Sequence, residues 1–160
     1  GVRLALNRAL PEGFAIGRIR IPEPGGRSLM ALLHGAEYTC CVKGPAASGP
    51  MPSEIELREK CRTFLSKKEI PYVSSTPKGL RHKDLRPGIV HMTVCRQDEQ
   101  ITLGMRLLSG SRCHVRAEHV TEAFLANAGI REASCVVYDK EQVFGLRDGV
   151  WTELFLCEGR

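Results

Sequence analysis

The chain has 160 residues, 42% of them hydrophobic and 26% charged, and its 23 Lys and Arg outnumber 18 Asp and Glu for a formal charge of +5. That composition excludes disordered and fibrous classes, and the length suffices for one domain with its own core or two small subdomains sharing one. No apolar run reaches the roughly 18 residues of a membrane span and no stretch has the order of a signal peptide, so a soluble, cytoplasmic protein without a membrane partner is expected.

In chain order, "VRLALNRAL" has the apolar spacing of helical turns without a clean start, and "PEG" ends it. An uncapped opening suggests a fragment of a longer protein. "FAIGRIRI" (residues 14–21) is strand-like and residues 22–26 read as a loop; Ser28 caps a short helix, "LMALLH", that Gly35 terminates. Tyr38, Cys40 and Val42 alternate with Thr39 and Cys41 as a strand with one buried face, and residues 44–52 form a flexible loop. Ser53 and Glu56 make a capping box for a helix whose Leu57, Cys61, Phe64 and Leu65 share a face.

"IPYVSST" is a strand that Pro71 marks as an edge or a strand start, and the basic stretch "KGLRHKDLRPG" follows as a loop. "IVHMTVCR" and "ITLGMRLL" flank "QDEQ" as a hairpin with Ile101, Leu103, Met105 and Leu107 on its core face. Ala117, Val120, Phe124 and Ala128 are spaced for a second amphipathic helix with Gly129 at its left-handed cap, "EASCVVYD" is another strand, and "VFGLRDGVWTELFL" a last hairpin turning at Asp148-Gly149. Two strand-helix-strand halves predict an α+β, ferredoxin-like sandwich with helices on one face of an antiparallel sheet, plus a C-terminal β-hairpin. The expected division is 1–35 as the remainder of a preceding subdomain, 36–145 as the ferredoxin-like domain and 146–160 as the hairpin or tail.

Chemistry is sparse. No Walker loop, Gly-x-Gly-x-x-Gly, Gly-x-Ser-x-Gly or His-Glu-x-x-His occurs. The seven cysteines, odd in number and set in apolar runs such as "VHMTVC" and "ASCVVY", read as buried free thiols; there is no Cys-x2-Cys pair for a metal. His91 and Cys95 would lie about 13 Å apart on a strand, too far for one ion. No catalytic constellation stands out. What remains is basic: Lys78, Arg81, Lys83 and Arg86 in the loop, with Arg112 and Arg116 at the entry to the second helix, are candidates for binding a substrate or an anion. Tyr72 and Tyr138 are the only plausible exposed rings on core strands, which does not favour a sequence-specific reader of single strands.

The blocks "LNRALPEG", "SLMALLHGAEYTCCV", "KDLRPGIV" and "LGMRLLSGSRCHVRAEHVTEAFL", in that order, resemble the radical-SAM-linked protein family, a bacterial domain of unknown function encoded beside or fused behind a radical SAM enzyme. Its Asp-(Leu/Ile)-Arg-Pro block is matched by Asp84, Leu85, Arg86 and Pro87, with Asp84, Arg86 and Pro87 as a structural motif. Pro87 should hold Arg86 extended. Arg116 matches the family's second helix start, where Ala117 and Glu118 replace the usual Pro and Asp, and a family N-terminal segment is missing. The resemblance implies a non-catalytic accessory domain that presents or docks an RNA or protein substrate. The iron–sulfur cluster and S-adenosylmethionine would belong to the partner, because Cys-x3-Cys-x2-Cys is absent from this sequence. Two alternatives stand beside it: a stand-alone RNA-binding or RNA-processing protein, and a small-molecule enzyme with a site around His91, Cys95 or His114.

Overall fold

The computed structural model describes residues 1–21, 24–43, 51–130, 133 and 135–157. The chain opens with helix α1 (Val2–Ala9), whose Asn7 amide holds the backbone of Ile16 from both sides, accepting from its N–H at 2.6 Å and donating to its carbonyl at 3.0 Å. Residues 14–21 do not form the expected strand. They run without a β partner and are tied by side chains instead: Arg3 to the Gly17 carbonyl, Arg18 to Glu153 and Arg20 to the Phe155 carbonyl.

Ser28 caps a one-turn helix, α2 (Leu29–Leu32), by accepting from Ala31 N–H. Gly35 does not end this helix. It lies inside the next strand, β1 (Leu33–Lys43), where a side chain would strike the Trp151 ring at 2.3 Å. Helix α3 (Glu54–Ser66) starts on the capping box of Ser53 and Glu56 and buries Leu57, Cys61 and Phe64. The loop expected over residues 44–52 lies outside the described residues as far as position 50.

Strand β2 (Pro71–Thr76) pairs with β3 (Gly79–Asp84) in a two-stranded unit separate from the main sheet, so the basic stretch is largely strand rather than loop. A 3-10 turn over Arg86–Gly88 leads into β4 (Ile89–Gln97), which returns through Asp98 as β5 (Gln100–Leu108). Helix α4 (Ala117–Ala128) ends on Gly129 at φ 80, the left-handed cap expected there. One strand, β6 (Cys135–Arg147), then spans what the sequence divides between a strand and the first arm of a hairpin. It turns through Asp148 (φ 51) and Gly149 (φ 79) into β7 (Val150–Glu153) before a final 3-10 turn, Leu154–Leu156. The start of the "EASCVVYD" strand and the side chain of Cys135 lie outside the described residues.

These elements build a mixed α+β structure around an antiparallel five-stranded sheet in the order β4-β5-β1-β6-β7. Period-2 alternation sends Cys40 and Val42 of β1, Met92 and Val94 of β4, and Ile101, Leu103, Met105 and Leu107 of β5 to one face. Leu57, Cys61 and Phe64 of α3 and Val120, Phe124 and Leu125 of α4 share the same buried cluster. The two helices meet through an edge-on contact of Phe64 with Phe124, ring centroids 5.6 Å apart. Cys40, Cys61 and Cys157 are buried free thiols as expected; Cys95 is exposed, because its strand parity sends it to the face opposite Met92 and Val94.

Phe124 is fully buried, and Phe124→Ala should cost about 3–5 kcal/mol of unfolding free energy in urea denaturation. Ser53→Ala, which removes one side of the capping box, should cost about 1 kcal/mol in the same assay.

Candidate anion-binding site

The β2–β3 unit follows α3 and stands apart from the main sheet, its base anchored by Asp84. The Asp84 carboxylate accepts the N–H of Ile70 at 2.7 Å and of Arg86 at 3.0 Å. Arg86 then donates through Nε to the Leu65 carbonyl at 2.8 Å and through Nη1 to the Ile89 carbonyl at 2.9 Å. The Arg86 guanidinium is thus a brace between the end of α3 and the start of β4. Its backbone is not extended. Gly88 N–H closes a turn onto the Leu85 carbonyl at 3.1 Å, and that bond outweighs the bias imposed by the following proline.

Beyond this base, register sets the faces of the arm. Tyr72 lies opposite Lys83 and Ser74 opposite Arg81, so these four share one face, and Lys78 sits at the turn between Thr76 and Gly79. Tyr72 stacks on His119 of α4 with ring centroids 4.4 Å apart, and its hydroxyl donates to the Glu122 carboxylate. Arg116, the residue before α4, is 3.6 Å from Glu118, both side chains exposed, a geometry worth little in water.

Burial first, and then the Arg116 and Lys83 charges, hold the His119 imidazole below the ordinary histidine range, with the Glu122 and Glu118 carboxylates opposing them in part. The His119 Nδ1 is buried with no hydrogen-bond partner. Burial and the bond to Glu122 push the Tyr72 phenol up to about 12. The outcome is a Tyr–His stack with two cations, Lys83 and Arg116, and two carboxylates, Glu118 and Glu122, around it.

Of the residues singled out in the sequence, Lys83 and Arg116 come together here, with Arg81 and Lys78 further out along the arm. Arg86 is engaged with two backbone carbonyls. Arg112 belongs to a different group, beside His34. His91 and Cys95 lie exposed on the sheet face away from the helices, and His114 shares a hydrogen bond with Ser109. A cavity of about 660 Å³ lies between α4 and β6 and is lined by Glu118, Thr121, Glu122, Leu125 and Tyr138 among others. Tyr138 does not offer a free stacking ring: it is half-buried there, its phenol pushed up to about 12 by burial.

Among the described residues no three His, Cys, Asp or Glu side chains are placed to share a metal ion, and no helix is long and apolar enough to cross a membrane. A family model described as "Uncharacterized protein conserved in bacteria (DUF2344)" matches residues 1–117. The chain belongs to this bacterial family. Its match takes in the arm, the Arg86 brace and the loop carrying Arg112 and Arg116, and ends at the first residue of α4. No curated protein and no solved structure matches the chain.

Sequence reasoning reaches the cations but not Glu122, the carboxylate that holds Tyr72, nor the pairing of Tyr72 with His119, which is 47 positions away in the chain and marked by no local pattern.

Two outcomes are expected. Arg86→Ala removes two charge-assisted hydrogen bonds and should lower unfolding free energy by about 2–3 kcal/mol, with Arg86→Lys failing to restore both. A histidine whose folded pKa is lowered contributes stability that is complete above the unfolded value of 6.5 and is lost as pH falls through the folded one. Stability should therefore drop on acidification below about 6.5, and His119→Phe should flatten that part of the urea-denaturation pH profile.

Proposed function

We propose that this chain is a non-catalytic accessory module, of ferredoxin-like architecture, that works with a radical SAM enzyme and holds that enzyme's RNA substrate along the β2–β3 arm. One observation carries the RNA part. Between Glu69 and Asp84 the arm has no carboxylate but carries Lys78, Arg81, His82 and Lys83, and its inner face meets Arg116 across the Tyr72–His119 stack. A two-stranded ribbon whose charged side chains beyond its Asp84 base are all cationic suits a phosphate backbone, where each neutralised phosphate releases counterions.

The strand order β4-β5-β1-β6, with α3 and α4 each following a strand on one side of the sheet, supports the ferredoxin-like reading. The link to a radical SAM enzyme, in trans or fused, rests on the resemblance of the "KDLRPGIV" and neighbouring blocks. The iron–sulfur cluster and S-adenosylmethionine are then the partner's. On the open face β4, β5 and β1 present His91, Thr93, Cys95, Thr102 and Thr39, and the Phe144 and Trp151 rings on that side lie against the Arg106 guanidinium. This favours backbone holding over base reading.

The test has two arms. Arg81→Ala, Lys83→Ala and Arg116→Ala should each weaken RNA binding in fluorescence anisotropy and reduce the slope of log affinity against log salt by about 1. Unchanged affinity and slope would sink the RNA reading. Co-purification with the radical SAM enzyme at micromolar concentration tests the partner; RNA binding without any such association would favour the stand-alone RNA-binding protein instead.

A further inference from the structure

A second group of cations, Arg27 and Arg112, lies apart from the β2–β3 arm. α2, the start of β1 and residues 110–113 enclose a cavity of about 390 Å³, within the size range of small-molecule sites. Arg27, His34, Ser111 and Arg112 supply its polar lining and Leu32, Leu33, Leu108 and Leu146 its apolar floor; among the described residues no carboxylate lines it. Both arginines are exposed, and among the described residues neither has a hydrogen-bond or ion-pair partner.

The wall is built rather than accidental. Ser109 N–H donates to the His34 carbonyl at 2.9 Å, and Gly110 lies so close to β1 that a Cβ there would stand 2.8 Å from the Leu33 carbonyl. Only glycine allows that approach, which brings Ser111 and Arg112 to the rim. On its far side the His34 ring rests edge-on against Trp151, centroids 4.9 Å apart. Burial, with the Arg112 charge second, holds the imidazole below its ordinary range, so it is a neutral hydrogen-bonding group there.

We propose that this cavity binds a phosphate monoester carrying an apolar body, with Arg27 and Arg112 on the phosphate, His34 and Ser111 as further hydrogen-bonding partners, and the leucines under the body. Two guanidiniums with neither a partner nor a carboxylate between them among the described residues favour a dianion, and their planar forks match phosphate oxygens. The same chemistry is presented by a free phosphorylated metabolite and by the 5′-phosphate of an RNA end. The site is independent of the β2–β3 arm.

Calorimetric titration with phenyl phosphate, inorganic phosphate and phenol tests it. Phenyl phosphate should saturate, bind more tightly than inorganic phosphate, and lose at least about tenfold in affinity in Arg112→Ala and again in Arg27→Ala. Both residues are exposed, so the variants should keep the fold, checked by circular dichroism, and Arg62→Ala, on the exposed side of α3, should bind as the native chain does. Absence of saturable binding, equal binding of phenol, or binding indifferent to both arginine substitutions overturns the proposal. Displacement of phenyl phosphate by an RNA oligonucleotide bearing a 5′-phosphate, and not by its 5′-hydroxyl form, assigns the site to a chain end; displacement by neither assigns it to a small molecule.

Discussion

The five residues from Asp84 to Gly88 form the joint on which the remaining parts are hung. Asp84 gathers two backbone N–H groups, Leu85 is fully buried and donates its own N–H to the Ile70 carbonyl, and Arg86 spans from the last turn of α3 to the first residue of β4. Gly88 closes the joint against the segment entering α4: a side chain there would collide with Val115 at 2.1 Å. Both long helices, the arm and the edge of the sheet therefore take their relative positions from one short stretch. Its charges are spent on backbone atoms, which have fixed geometry, rather than on other long side chains, which do not. That distinguishes Arg86 from its basic neighbours, although a reading of charge alone places them together.

Much of the main sheet was legible in the sequence because its strands bury one face only. Ile101, Leu103, Met105 and Leu107 alternate with polar residues, and all four are buried. Helices α3 and α4 were legible for a similar reason, each having an apolar stripe with a recognisable cap at Ser53 or Gly129. The failures have a common cause. β3 carries almost no apolar residue and owes its strand conformation to pairing with β2, so its own composition resembles a loop. Residues 14–21 alternate like a strand yet have no partner strand, their apolar side chains Phe14, Ile19 and Ile21 remaining exposed. Pairing, not pattern, decides both.

The same limit applies to the sites. Lys83, Arg112 and Arg116 could be named from the sequence, since cations clustered near helix entries are visible as letters. Their sorting into separate groups could not. It depends on the approach of Gly110 to β1 and on the stacking of Tyr72 upon His119, contacts between segments far apart along the chain. Neutral groups mattered as much as charged ones. Two histidines, His34 and His119, each sit beside an arginine that discourages their protonation, so each cluster keeps its positive charge on side chains that do not titrate near neutral pH.

Trp151 gives this arrangement a further property. It is the chain's one tryptophan, and it closes over Gly35 while touching His34 and Phe144 and lying under the Arg106 guanidinium, which is itself paired with Glu37. The indole is thus in contact with strands from both sides of β1 and with a wall of the cavity lined by Arg27 and Arg112. Its emission has a single origin, and that origin lies where the sheet edge meets the cavity. The molecule carries its own optical gauge of whether β7 is seated and whether the imidazole beside it has been disturbed.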